Sequence, residues 1–381
     1  MLILYWLNAD CWFPMMNKMV VANLVHRPIR SLISIVAIAL EVTLILLVVG
    51  LALGLLSDSR QRQAGIGADV VVMPPGSSFI VGLTGAPMSI KVGNVLQKLP
   101  HVVTVAPVVT QVATAGTLEL IAGIDLNSYE KLSGPFQYVA GGPFEGPDDC
   151  MVDDLFARAK HVKVNDKIEI LNHSFRVAGI VEPGKGARKF LQIGVLQDLI
   201  GAQGKATLFY LKLDNPSNAD EVVNEIKQMK GMERYVATSM AYYLSMMTTS
   251  RYPGVAQFID FVIVISVIIG FLAIFQAMYT AVMERTREIG ILKSMGASKL
   301  YIVNVVLRET VVLAVAGIVV GVLFSLAARV GIDHRSTLRV IVTGSWILKA
   351  TVIAILGSIV GALYPAIKAA QKDPIDALAY E

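Results

Sequence analysis

The densest run of chemistry-bearing side chains is residues 284–300, ERTREIGILKSMGASKL, where acids, bases and apolar residues follow one another at helical spacing. On a helix, Ile289, Leu292 and Met295 recur every three residues with Ile291 beside them, while Arg287, Lys293 and Ser294 point elsewhere. Such a rod suits recognition rather than bond-making. Its apolar stripe can lie among lipid headgroups with basic side chains on anionic lipid, or it can enter a groove on another protein. Gly296 is placed to stop the rod, and Ser298, just past Ala297, to cap the next helix.

Groups that make or break bonds are sparse. The five His residues show no paired spacing and no H-E-x-x-H, which gives no metal site. Nothing fits the phosphate-cradling G-x-x-x-x-G-K-[ST] pattern, so this chain is not expected to bind or hydrolyse ATP itself, and no nucleophile and base lie at recognisable spacing. The loop Gly184-Lys185-Gly186-Ala187-Arg188-Lys189 is basic and Gly-rich; it reads either as an exposed turn or as a cradle for an anionic headgroup. Polar groups inside apolar runs are Glu41, Gln276 and Glu309. An ionised carboxylate in hydrocarbon costs at least several kcal/mol, so Glu41 should face protein, with Gln276 as a candidate partner.

The elements that position these groups are four apolar stretches, Leu32–Leu56, Phe261–Met283, Thr310–Ala328 and Ala350–Ile367. A hydrocarbon core of roughly 30 Å needs about 20 apolar residues at the helical rise, so each is a membrane span. The 55% hydrophobic and 16% charged content and the mean hydropathy of +0.62 average over the spans and one large polar insert. The formal net charge of +4 says little. Basic residues gather before the first span (Lys18, Arg27, Arg30), in the elbow after the second (Arg285, Arg287, Lys293, Lys299) and after the fourth (Lys368, Lys372). The link between the third and fourth spans has fewer, Arg329, Arg335 and Arg339. Both termini and the elbow are therefore expected on the cytoplasmic side of a cell (inner) membrane, and the insert outside it.

The expected organisation is an α-helical membrane protein with four transmembrane helices and a large α/β domain inserted between helices 1 and 2. Residues 1–30 are a cytoplasmic segment, 31–56 the first span, 57–257 the insert and 258–283 the second span. Then come the elbow at 284–300, the third span at 301–328, an outer loop at 329–346, the fourth span at 347–367 and a cytoplasmic tail at 368–381. Residues 1–15 show no cleavable signal and read as a loose extension, with Met16 as an alternative start. Cys11 and Cys150 fall on opposite sides of the membrane, which argues against a disulfide between them.

In the insert, Asp69–Met73, His101–Thr114 and Thr207–Leu213 read as strands. Ser217 is the expected cap of a helix whose inner face is Val222, Val223, Ile226 and Met229, closed by Gly231. Lys167–Ile170 and Phe175–Val181 form an expected hairpin, and Gly141–Pro147 a candidate boundary between two subdomains. Ser57–Gln63 is polar and helix-compatible, a stalk leading into the insert. Three spans carry small residues four apart, Gly50/Gly54, Gly317/Gly321 and Gly357/Gly361, which serve as packing seams within a bundle or across a dimer. Asp373 followed by Pro374 is a helix-start signal, leaving a short tail helix that includes Leu378.

The string from Glu284 to Ala297 resembles the segment after the second span in permeases of the MacB and FtsX-like superfamily of ABC transporters. The layout agrees with it: one span, a large outer domain, three further spans, a glutamate at Glu309, and a closing segment running from Tyr364-Pro365-Ala366 to Asp373-Pro374 and Ala377-Leu378. The resemblance implies that Glu284, Arg285, Arg287, Glu288, Ile289, Ile291, Leu292, Lys293, Met295, Gly296 and Ala297 form a coupling helix that docks on an ABC ATPase subunit. Asp373, Pro374 and Leu378 would be a second contact. It also implies a second permease copy or close paralogue, a candidate periplasmic adaptor, contact with membrane lipid and no nucleic acid. No cofactor is expected on this chain, ATP and Mg²⁺ being held by the ATPase. The implied function is mechanical: ATP hydrolysis on a separate chain moves the outer domain, exporting or extracting a hydrophobic or lipidated cargo. The alternative is a membrane-anchored sensor or regulatory protein without transport activity.

Overall fold

The computed structural model describes residues 28–77, 86–113, 119–249, 251, 252 and 254–372. Lys18, Arg27, Cys11, Thr114 and the tail residues Asp373, Pro374 and Leu378 lie outside the described residues. The helices are α1 (Pro28–Ala64), α2 (Val92–Leu96), α3 (Leu126–Ser133), α4 (Asp154–Lys160), α5 (Ile193–Leu199), α6 (Ala219–Gln228), α7 (Met240–Met246), α8 (Val255–Glu284), α9 (Thr286–Ser294), α10 (Lys299–Arg335) and α11 (Gly344–Gln371). The strands are β1 (Val70–Met73), β2 (Met88–Ser89), β3 (Val102–Ala113), β4 (Glu119–Ile124), β5 (Tyr138–Gly141), β6 (Asp149–Asp153), β7 (Lys167–Ile170), β8 (His173–Val181), β9 (Lys189–Gln192), β10 (Lys205–Ala206), β11 (Leu208–Leu213) and β12 (Val236–Ser239). The chain forms two compact units, one of residues up to 51 with 257–331 and 340 onward, the other of 52–256 with 332–339.

The first unit is the membrane bundle, built on α1, α8, α10 and α11, the four helices long and apolar enough to cross a bilayer among the described residues. Its seams run through most of the expected glycines. A methyl group on Gly317 would lie 2.7 Å from Cβ of Ile38, and one on Gly321 2.8 Å from the carbonyl oxygen of Ala39, so α1 and α10 touch backbone to backbone. Thr43 ties the same seam by donating to the Gly321 carbonyl at 3.2 Å. A Cβ on Gly361 of α11 would lie 3.0 Å from the Phe271 carbonyl oxygen of α8, and one on Gly50 2.9 Å from the Val340 side chain, while the Gly50 carbonyl accepts from Ile341 at 2.9 Å. These glycines are therefore engaged within one chain.

Of the expected Gly50/Gly54 pair, Gly50 has its contacts in the bundle. Gly54 is buried, but it belongs to the second unit, which begins at Ala52, whereas Gly50 belongs to the bundle. The reason is length: α1 has 37 residues, well beyond the roughly 20 that a bilayer core needs, so small residues one turn apart near its outer end can serve different units.

Glu41 is buried in this bundle, but not beside Gln276, which is placed in a groove with Pro28, Arg30 and Thr280. The Glu41 carboxyl lies instead over Gly270 of α8, where a Cβ would come within 1.9 Å of Oε2, and Oε1 is 3.9 Å from the Cβ position of Gly357. Two helix backbones leave room for it, and Oε1 has no hydrogen-bond partner among the described residues. Gln276 misses this site because its register on α8 is more than one turn past Gly270.

The second unit is the α/β insert. One ten-stranded sheet runs β12-β1-β11-β3-β4-β9-β6-β8-β5, with β7 paired to β8 and β10 to β2 apart. Most pairs are antiparallel, and β4/β9 and β6/β8 are parallel. Both faces are covered: Val71 and Met73 enter one core with Phe190 and Tyr210, while Val70 and Val72 enter another with Phe209 and Val222. That is the period-two alternation of a strand buried on both sides. The Lys167–Val181 hairpin turns through Leu171 and Asn172, at φ 52° and 62°, the left-handed pair a tight hairpin requires.

Two expectations fail here. Gly141–Pro147 separates no subdomains, because it leads from β5 to β6, which both pair with β8 in the same sheet. Ser217 does not cap α6: Pro216–Asn218 form a 3₁₀ turn whose cap is Asn215, accepting from Ser217 N at 3.0 Å. Pro216 fixes φ and favours the tight turn one residue early. The inner face of α6 is as expected, with Val222, Val223 and Ile226 buried and Met229 against the same core.

The end of α1 plugs into the insert. Ile66 is fully buried in the core with Phe190, Gln63 accepts from the Tyr210 hydroxyl at 3.2 Å, and Lys212 donates to the Gly67 carbonyl at 2.9 Å. Gly65 meets Gly184 so closely that a Cβ would sit 1.9 Å from the Gly184 carbonyl oxygen.

Candidate docking helix and its ion cluster

The elbow folds as α9, one residue after α8 ends. Thr286 makes the break local: its hydroxyl donates to the carbonyls of Met283 at 2.8 Å and Val282 at 3.2 Å, satisfying the last turn of α8. Gly296, at φ 94°, ends the elbow in a conformation open to glycine, and Ser298 Oγ accepts from Tyr301 N at 3.2 Å to cap α10.

Both ends of α9 are braced against the bundle by charged side chains. Arg285 reaches Glu309 of α10 through two nitrogens, at 3.0 and 3.4 Å, and Arg30 of α1 donates to the same carboxylate at 2.7 Å. Glu284 lies 3.7 Å from Arg30. Glu309 is buried, so two arginines hold one desolvated carboxylate of α10 between α1 and the junction of α8 with α9. At the other end, Lys293 donates to the Ala370 carbonyl at 3.0 Å and to that of Lys372, filling acceptors that the end of α11 leaves open.

The apolar stripe is split between two faces. Ile289 and Leu292 line a narrow apolar cleft with Val282, Tyr301, Ile302 and Val306 of the same bundle. Ile291 is 43% exposed and Met295 71%, and Leu300 at the start of α10 is 75% exposed, with Arg287 and Glu288 alongside. Ile289 and Leu292 thus line the cleft on the bundle side half-buried, whereas Met295 is exposed. Spacing alone cannot tell an inward from an outward face when both carry apolar residues. The shared contact of Arg30 and the capping role of Lys293 are additions from the structure; the signal available in the sequence was a basic residue at the rim of the first span and another in the last turn of a short helix.

The comparisons with known proteins fit this layout. Residues 31–229 match the family described as MacB-like periplasmic core domain, and residues 261–374 the one described as FtsX-like permease C-terminal. The first match alone covers more than half of the chain. The chain belongs to the MacB/FtsX-like permeases. It is 25% identical over a 389-residue alignment to the macrolide export ATP-binding/permease protein MacB of Shewanella sp. (strain W3-18-1), covering 93% of this chain and 59% of that protein. It thus spans about three fifths of that relative's length. Over 125 residues it is 34% identical to the uncharacterized ABC transporter permease YknZ of Bacillus subtilis (strain 168), covering 31% of this chain and 30% of that one. A solved structure of the periplasmic region of MacB from Actinobacillus actinomycetemcomitans aligns at a TM-score of 0.38 with 16% identity, covering 48% of this chain and 94% of that one.

In this MacB/FtsX-like chain, α9 falls inside the FtsX-like match and the insert inside the MacB-like match. The basic loop at 184–189 is neither an exposed turn nor an anion cradle. Lys185 donates to the carbonyls of Ser133 and Gly134 at 3.3 Å, Lys189 lies 4.4 Å over the Phe156 ring, and Arg188 points inward to carboxylates. Among the described residues no group of His, Cys, Asp and Glu is arranged to hold a metal. Cys150 is buried in the sheet, and burial pushes its thiol up to about 12, which makes it a poor nucleophile.

Proposed function

We propose that this chain is the membrane-spanning part of an ATP-driven transporter in which α9 docks on an ABC ATPase carried by another chain, which holds the ATP and Mg²⁺. The observation that supports this most directly is the division of labour on the elbow. One face and both ends are fastened to the bundle, while Ile291, Met295 and Leu300 remain exposed beside Arg287. A braced rod with an exposed apolar and basic face can receive a push without swinging loose, and exposed Met is well suited to an adaptable groove contact. In this reading the elbow and both termini lie on the cytoplasmic side, which the distribution of basic residues supports. Two copies pair above two ATPases, and ATP-driven closure displaces the elbows. The bundle helices carry that displacement outward, moving a hydrophobic or lipidated cargo taken from the outer leaflet or outer compartment.

The test is affinity purification of the full chain from its native membrane, with identification of its companions and measurement of ATP hydrolysis. An ATPase with a phosphate-binding loop should accompany the native chain. Met295→Asp with Ile291→Asp should release it while the melting temperature of the chain is unchanged. Leu292→Asp should instead unseat α9 and lower the melting temperature. A preparation that is active in membrane insertion but never carries an ATPase favours the anchored sensor.

A further inference from the structure

The second unit contains a buried cluster of four charges that the elbow does not use. Asp58 and Arg62 lie on the last turns of α1, Asp153 ends β6, and Arg188 precedes β9. Arg188 forks between two carboxylates, donating at 2.9 Å to Asp153 and at 2.9 Å to Asp58, and its second nitrogen also donates at 3.0 Å to the Thr337 carbonyl. Asp58 accepts from Arg62 as well. Asp153 simultaneously caps α4, accepting from Phe156 N at 2.7 Å, so its second oxygen is free to face Arg188 in a fixed direction. The side chains of Arg188, Asp58 and Asp153 are 12%, 10% and 1% exposed.

Three stretches far apart in sequence meet at this one guanidinium: the outer end of α1, the α/β sheet, and the link between α10 and α11. Two positive and two negative charges balance, so the cluster is neutral and can be desolvated as a unit. Burial depresses the Arg62 guanidinium below its ordinary value and raises the Asp153 carboxyl, both as expected for charges removed from water. Only an arginine can make these contacts, because they need a planar fork with several donors; a lysine ammonium reaches as a point charge.

We propose that Arg188 is a positioning residue for the transport stroke, clasping the end of α1 and the 332–339 link to the sheet so that they move with the outer domain as one body. This rests on the mechanical reading given above. It adds what that reading leaves open, namely which contacts keep the stalk from sliding in its socket. The apolar plug at Ile66 gives depth, but apolar contacts tolerate sliding, whereas a forked ion cluster has one geometry.

The test uses spin labels at exposed Arg60 on α1 and exposed Lys160 on α4, in the full chain in nanodiscs with Cys11→Ser. The native clasp should give one narrow distance distribution. Arg188→Met and Asp58→Asn should each broaden it at least twofold with the circular dichroism of the domain unchanged, and Arg188→Lys should fall between. Asp58→Asn spares the Arg188–Asp153 pair, so it isolates the stalk even where Arg188→Met folds poorly. An unchanged narrow distribution in folded Asp58→Asn overturns the clasp. In the complex retaining its ATPase, Arg188→Met should keep ATP hydrolysis within about twofold but abolish the ATP-dependent change in thiol-labelling rate at Lys160→Cys. Persistence of both also overturns it. If no ATPase accompanies the chain, the mechanical reading fails, and the spin-label widths still decide the clasp on the chain alone.

Discussion

Two buried ion clusters in this protein solve the same problem in opposite ways. In the membrane bundle, one buried carboxylate, Glu309, accepts from both Arg30 and Arg285, while the second acid, Glu284, lies 3.7 Å from Arg30 and is 41% exposed. In the α/β unit, Asp58 and Asp153 face Arg62 and Arg188, two against two. Loss of the shared acid removes the one buried carboxylate to which both arginines donate; in the α/β unit a buried carboxylate remains beside both arginines when either aspartate is removed. The contrast teaches that the number of contacts matters less than what is left unpaired when one is cut.

The largest effect should come from Glu309→Leu, which leaves Arg30 and Arg285 without their common carboxylate and should cost about 3–5 kcal/mol. Thermal unfolding in detergent reads this directly. Asp58→Asn should cost less, about 1–3 kcal/mol, because Arg62 and Arg188 still have Asp153 nearby. Equal losses in the two variants would erase the distinction. Lys293→Met, which removes the brace from the far end of α9, should cost about 1 kcal/mol, seen as faster hydrogen exchange in 286–296 with exchange elsewhere unaffected. The smallest effect belongs to a third, more open pair. Arg176 donates to both oxygens of Asp149, at 2.8 and 3.0 Å, and this hydrogen bonding pulls the carboxyl down to about 2 from an ordinary 3.8. A depressed carboxyl stabilises above its unfolded value, so that contribution should be complete at neutral pH and lost as pH falls from about 4 to about 2. Asp149→Asn should flatten the melting temperature over that window and leave its slope elsewhere unaltered.

Much of the architecture was legible because the strongest signals were long. Uncharged runs of span length have no other stable fate in water or lipid, and apolar stretches such as VVVM at 70–73 and LFYLKL at 208–213 alternate into two cores as the strand period demands. Helix ends were also readable where one residue type has one use, as at Gly296 and Ser298. What sequence could not supply was facing. Ile289 and Ile291 are chemically alike, yet one lines the cleft and the other is exposed, a choice set by where α9 docks rather than by its own pattern. Gly50 and Gly54 are likewise identical in type and one turn apart, and only the fold assigns them to different units. The same holds for Arg188, which looks like a turn cation until the fold brings Asp58 and Asp153, 130 and 35 positions away, to its two nitrogens. Local preference carries no information about partners that distant.

The contact between Gly65 and Gly184 has a mechanical corollary. With backbone against carbonyl and no side chain between, the end of α1 has no swivel, since turning the helix about its axis would drive its neighbours into Gly184. Within the α/β unit, the outer turns of α1 are thus keyed against rotation as well as against withdrawal.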